Sequence, residues 1–228
     1  MCGRFANHVG AMHGWDAVLG DWPGSGQLSF NVAPTQPVPV VLRGGTAVMR
    51  WGMIPPWSDT PNPSFSTFNA RLDSVAQKPT FRHAWALGQR CLVPILGYYE
   101  WRQQNGRKQP YFVTREDKGP TVLAGLFETA HREGFPPSFT VLTRPAQGQL
   151  ATLHHAMPVM ISAESGQAWL QDDVEMAWQI AHKDTPQGMY FYPVSPSVNN
   201  VRWDNPDAVK PLSDTEKADD AAQQGFDF

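Results

Sequence analysis

The sequence predicts an α+β fold: one domain with a curved mixed or antiparallel β-sheet, barrel-like, carrying short flanking helices. Short β-like runs dominate its middle, and glycine, proline and asparagine punctuate them. Helical periodicity is confined to a few short stretches, and no longer internal repeat is visible. With 21 prolines and 19 glycines in 228 residues, the chain is rich in turns yet short of a disordered polymer.

In chain order, Val38 to Leu42 and Thr46 to Trp51 read as a hairpin closed at Arg43-Gly44-Gly45. Cys91 to Ile95 and Gly97 to Arg102 follow as strands, and Asn105-Gly106 marks a second hairpin leading to Tyr111 to Thr114. Thr121 to Phe127, Ser138 to Leu142 and Pro158 to Ile161 complete the expected strands. Helices are expected over Thr80 to Leu87, Ala163 to Leu170 and Val174 to Ala181. No polar linker divides residues 1–212, which read as one domain, while the Asp-, Ala- and Gln-rich residues 213–228 read as a disordered acidic tail.

Formal net charge is −3, unevenly spread. Residues 71–118 carry nine Lys/Arg against four Asp/Glu, whereas 164–228 carry four against twelve. That balance argues against an avid, non-specific duplex-DNA binder but leaves a basic groove open in the middle of the chain. An ordinary solvated surface of mixed charge explains it equally well. No run of eighteen apolar residues exists, so a membrane span is excluded. Met1 to Phe5 lack the apolar stretch of a signal peptide, so a cytoplasmic protein is expected, nucleoid-associated when bound to DNA. Two cysteines make no disulfide framework.

Chemistry centres on Cys2. Its small side chain suits removal of Met1, which would leave an α-amine and a thiol on adjacent carbons. An α-amine has a pKa near 7.7–8.0, so roughly a tenth is neutral at pH 7, far more than for an ordinary lysine. It can attack an aldehyde without burial, and the thiol can then add to the imine and close a five-membered thiazolidine. Taken alone, Cys2 is far more readily an incidental residue of a frayed terminus.

Its company changes that reading. Met1-Cys2-Gly3-Arg4-Phe5 is followed by Phe30-Asn31-Val32-Ala33-Pro34, Trp51-Gly52-Met53-Ile54-Pro55-Pro56-Trp57 and Asn69-Ala70-Arg71. Cys91-Leu92-Val93-Pro94, Gly97-Tyr98-Tyr99-Glu100-Trp101 and Ala124-Gly125-Leu126-Phe127-Glu128 come next. Leu153-His154-His155-Ala156-Met157-Pro158-Val159 and the stretch from Val194 to Asn200 complete the order. From Met1 to about Leu212 the chain resembles the SRAP (SOS response-associated peptidase) family.

The resemblance implies recognition of abasic sites in single-stranded DNA, covalent capture through the N-terminal cysteine, and a curved β-structure with a positively charged channel for the strand. It places Cys2 as nucleophile and Asn69, Glu100 and His154 in the active-site trio, with no cofactor and a monomer sufficing to shield the lesion. Glu100 is assigned proton abstraction from the amine and acid/base work on the sugar hydroxyl, and His154 ring opening and reversal. Asn69 is expected to orient the nucleophile or the sugar oxygen. Without that context, a surface carboxylate, a turn histidine and a turn asparagine explain the same three residues.

DNA contacts are expected from Arg4 and Arg71 on phosphates, Trp57 and Trp101 as stacking or wedging rings, and Thr143 through its hydroxyl. Trp51 is expected in the core. The sequence departs from the family at Ala156, where an arginine is usual, and at Asp73, where glutamate is common. Either weaker phosphate anchoring at Ala156, or compensation by Arg144 or His155, is expected. Two other classes of function remain open: a cysteine autopeptidase or N-terminal-nucleophile hydrolase, and a non-catalytic single-strand-binding module. Cys2, Cys91, His154 and His155 match no common zinc spacing, so no metal is expected.

Overall fold

The computed structural model describes residues 2–7, 28–104, 106–117, 119, 121–183 and 187–213. Twelve strands are present among the described residues: β1 (Phe5–Ala6), β2 (Pro37–Leu42), β3 (Gly45–Trp51), β4 (Asn69–Arg71), β5 (Arg90–Ile95), β6 (Gly97–Gln104), β7 (Arg107–Arg115), β8 (Thr121–Glu128), β9 (Ser138–Pro145), β10 (Ala156–Pro158), β11 (Met160–Ile161) and β12 (Met189–Pro193). Three α-helices join them among the described residues: α1 (Arg82–Ala86), α2 (Ala163–Gln171) and α3 (Val174–Lys183).

Strand β9 makes the larger sheet curl. Along one edge it pairs in parallel with β3 and then β4, and along the other antiparallel with β8 and then β10. Since β3 pairs with β2, β2 with β5, and β5 with β8, the ladder returns to β9 and closes. Closure leaves no exposed edge along this circuit. The smaller sheet, in the order β1-β6-β7-β12, stands beside it.

Side chains alternate across the barrel wall as the pleat requires. Cys91, Val93, Ile95, Leu123, Phe139 and Val141 join the buried cluster containing Trp51, Phe5 and Tyr98. Their neighbours Leu92, Val122, Ala124 and Leu142 join a second cluster, which the helices complete with Trp85, Trp169 and Ala177. Trp51 is fully buried, as expected. Its ring lies 4.6 Å from Phe5 and 6.5 Å from Phe139, and its indole N–H donates to the Phe68 carbonyl.

The expected α+β class with a curved sheet is what the molecule adopts. Several boundaries shift. The strand expected over Pro158 to Ile161 is two, because Val159 donates to Leu142 of β9 while its carbonyl accepts from Ala124 of β8. The helix expected over Thr80 to Leu87 narrows to α1, and the strand expected over Tyr111 to Thr114 extends to all of β7. Strands β1, β4 and β12 were not among the expected elements. Beyond Ser213, the expected tail lies outside the described residues, as does Asn105 of the second hairpin.

Candidate active site

Cys2 is pinned, not frayed. Phe5 exchanges backbone hydrogen bonds with Val32, the Leu96 amide donates to Ala6, and the Tyr99 amide donates to Arg4. In this way β1 is laid across Tyr98 and Gly97 at the start of β6. Gly97 is required there, since a Cβ would sit 2.4 Å from the Val113 carbonyl oxygen. From β4, the Asn69 Nδ2 group donates to the Cys2 carbonyl at 2.7 Å. The Cys2 side chain is fully buried, with Sγ 3.9 Å from the Arg4 carbonyl. Burial, reinforced by the Glu100 carboxylate, pushes its thiol above the ordinary thiol range.

Glu100 faces the same side of β6 as Tyr98, two residues earlier. Tyr98 is buried, and burial followed by the charges of Cys2 and Glu100 holds its phenol above the ordinary value. Cys2, Tyr98 and Glu100 therefore share one low-dielectric environment. The buried Glu100 carboxylate accepts from the Trp101 amide through Oε1 at 3.3 Å, and its Oε2 lies 3.8 Å from His154 Nδ1. His154 follows a 3₁₀ turn over Gly148–Thr152, and its own amide donates to Leu150. Its Nδ1 lies 3.0 Å from both the amide and the carbonyl of Ala156. A bare Nδ1 accepts from that amide and a protonated one donates to that carbonyl, so the ring keeps a partner in either state. The His155 ring packs against it at 4.1 Å.

Cys2, Asn69, Glu100 and His154 are therefore tied together in two contacting pairs, Asn69 with Cys2 and Glu100 with His154, with the Glu100 charge felt at the thiol. Asn69 Oδ1 is buried and without a hydrogen-bond partner among the described residues. This unfilled acceptor faces the same problem as any buried polar atom and is suited to a group that arrives with substrate or with a freed amine. No group of three or more His, Cys, Asp or Glu among the described residues is placed to hold a metal.

The residues expected to touch DNA divide into two kinds. Arg4 Nη1 donates to Asn31 Oδ1 and to the Val198 carbonyl, each at 2.8 Å, and its guanidinium lies 5.9 Å from the Trp101 ring. Trp101 in turn donates from its indole to Asn199. The Thr143 hydroxyl, buried, reaches the Ala70 carbonyl at 3.4 Å. Arg71 and Trp57 are outward-facing: the Arg71 side chain is 71% exposed and forks onto Asp73, and Trp57 is 53% exposed and stacks on Phe65 with centroids 6.0 Å apart. Arg71, Asp73, Thr143, Arg144, His155 and Ala156 line a cavity of about 350 Å³. Arg144 donates to the carbonyls of Ala181 and His182 at the end of α3, which engages the guanidinium named as a substitute for the side chain missing at Ala156.

Sequence reasoning missed Asn31. Its Nδ2 reaches the carbonyls of Val198, Asn200 and Trp203 while its Oδ1 takes Arg4, so it fastens the N-terminal segment to the C-terminal one. The only signal was its place in the block Phe30 to Pro34, which meets the block Val194 to Asn200 here.

Comparison with known proteins follows the same outline. The model of the family described as SOS response associated peptidase (SRAP) matches residues 1–201. The abasic site processing protein HMCES of Gallus gallus is 31% identical over 191 residues, covering 72% of this chain and 56% of that protein. The chain thus spans little more than half of this relative's length. The abasic site processing protein YoqW of Bacillus subtilis is 26% identical over 225 residues, covering 92% of this chain and 99% of that one. Among solved structures, a protein from Bordetella bronchiseptica superposes with a TM-score of 0.75 at 24% identity, covering 85% of this chain and all of that one. A protein from Bacteroides thetaiotaomicron gives 0.74 at 22% identity, covering 93% of this chain and all of that one. The last two likenesses concern the fold.

Proposed function

The chain belongs to the SRAP family, and from that premise we propose that it captures abasic sites in single-stranded DNA as a covalent adduct of Cys2. Relatives named as abasic site processing proteins support a role in handling such lesions, and with it a place in DNA repair. The finer chemistry rests on one observation: a buried Cys2 gripped by Asn69 beside the Glu100–His154 pair.

Once Met1 is removed, the Cys2 amine attacks C1′ of the ring-opened sugar. Glu100 relays both amine protons in turn to the sugar oxygen, the first giving the carbinolamine hydroxyl and the second letting it leave as water, so that the neutral imine forms. The Cys2 thiol then adds to the imine carbon, its proton passing to the nitrogen, and the thiazolidine ring closes with no further atom lost. A thiol held protonated by burial leaves the amine as the first nucleophile and reserves sulfur for the closing step. His154, with a backbone partner for either protonation state, exchanges the proton that Glu100 gains. Asn69 holds the Cys2 carbonyl and offers Oδ1 to the amine.

Arg71 and Trp57 stand on the solvent side as DNA contacts, with Thr143 behind Arg71. Arg4 and Trp101 complete the strand-binding surface next to the nucleophile. The same cysteine, histidine and carboxylate would also serve removal of Met1 by the protein itself, the alternative peptidase reading.

A fluorescent single strand with one abasic site, incubated with protein of verified N-terminal mass and run under denaturing conditions, tests the proposal. A retarded band is expected for the wild type and none for Cys2→Ala, which retains reversible binding. A denaturant-stable band from Cys2→Ala, or peptide cleavage with no band from the wild type, would overturn it.

A further inference from the structure

Arg71 closes β4 two residues beyond Asn69, and Asp73 follows in a 3₁₀ turn over Leu72–Ser74. The turn places the carboxylate in the guanidinium fork: Nε donates to Oδ1 at 3.2 Å and Nη2 to Oδ2. Both side chains are open to solvent, at 71% and 52% exposure, and both line the cavity that reaches Thr143, His155 and Ala156. An exposed pair of this kind adds little to folding stability. Its geometry is more informative, because a two-oxygen carboxylate in an arginine fork occupies the same donors that a backbone phosphate takes.

We propose that Asp73 is an affinity-setting residue that competes with DNA phosphate for Arg71, so that the strand must displace a built-in carboxylate to engage the site. This rests on the reading of Arg71 as a DNA contact. The carboxyl of Asp73 is held below the usual carboxylate range, first by its bond to Arg71, so it is a charged competitor throughout the neutral range. The competitor is also local. Arg71 and Asp73 are separated by one residue, so the fork refills as soon as a phosphate leaves, which weakens reversible binding without touching Cys2, Asn69, Glu100 or His154. Covalent capture tolerates that weakness, since the adduct's lifetime is set by its chemistry.

The test compares Asp73→Asn with the wild type on a single strand bearing a tetrahydrofuran abasic analogue, which binds but offers no aldehyde. Asp117→Asn is a matched control, because Asp117 fills the Arg115 fork in the same way, away from this cavity. Asp73→Asn is expected to tighten binding roughly three- to tenfold at low salt and to steepen log K against log salt by about one unit. Asp117→Asn should do neither, and Arg71→Ala should cancel most of the gain when combined with Asp73→Asn. The crosslinking rate at saturating aldehyde-bearing strand should stay unchanged. Unaltered or weaker binding by Asp73→Asn, an equal gain from Asp117→Asn, or a full gain surviving Arg71→Ala would each overturn the proposal. A wild type that binds the analogue but forms no adduct would defeat the crosslinking function while leaving this competition measurable.

Discussion

At the scale of single residues, the work falls to side chains that are buried and polar at once. Glu100 carries the largest expected effect, because its charge is felt at the Cys2 thiol and its carboxylate lies 3.8 Å from His154. Glu100→Gln keeps the shape and removes the base. It is expected to slow crosslink formation about 100-fold or more at saturating DNA, the usual range for losing a general acid/base, while the dissociation constant for an abasic analogue changes little. Single-turnover kinetics alongside equilibrium binding check it, and an unchanged rate would remove Glu100 from the chemistry. Cys2 was legible as a candidate aminothiol, whereas Asn69, Glu100 and His154 were legible only through the family resemblance of the blocks around them, because a surface carboxylate or a turn residue explains each of them singly. Their surroundings were not legible. Nothing in the spacing of Arg4 and Asn31 reveals that they bond each other, or that Asn31 reaches across to Val198 and Trp203.

At the scale of elements, legibility followed length. The β2–β3 hairpin could be read because two β-like runs flank the glycine turn at Arg43-Gly44, with Gly44 at φ 86°. Strands β1 and β4, of two and three residues, are too short to show a period, and exist because β6 and β9 supply partners from far along the chain. Strand β12, Met-Tyr-Phe-Tyr-Pro, lacks alternation and takes its shape from β7. These unreadable elements carry Asn69 and hold Cys2, so the site depends on tertiary pairing more than on local propensity. Gly97→Ala tests that dependence. The added methyl would meet the Val113 carbonyl and the Phe112 ring, where β6 leaves β1. A loss of about 1–3 kcal/mol in unfolding free energy is expected, the range for overpacking, together with slower crosslinking as β1 shifts. Urea denaturation with an unchanged m-value measures the first, and full stability would show that β1 docks more loosely than its hydrogen bonds imply.

At the scale of the whole molecule, the core buries groups that ionise in the alkaline range, among them Cys2, Cys91 and Tyr98 in the cluster containing Trp51 and Tyr99 in a third cluster with Phe112. Burial raises the thiols of Cys2 and Cys91 and the phenols of Tyr98 and Tyr99 above their ordinary values, with Glu100 adding to the effect at Cys2 and Tyr98. In the unfolded chain a thiol titrates near 8.5 and a phenol near 10. Above about pH 8.5 the unfolded state therefore sheds thiol protons that the folded state retains. With fewer protons bound by the unfolded chain, stability must fall as pH rises, by up to about 1.4 kcal/mol per pH unit for each thiol. For the two cysteines together that is about 4 kcal/mol between pH 8 and pH 10, a large part of the roughly 5–15 kcal/mol typical of a folded domain. Chemical denaturation across that range should show the decline, and Cys2→Ala should remove about half of it below the phenol range. A midpoint that stays flat to pH 10 would mean that the thiols reach solvent in the folded protein. In that case sulfur would compete with the amine for the sugar carbonyl, and the order of bond formation argued for Cys2 would reverse.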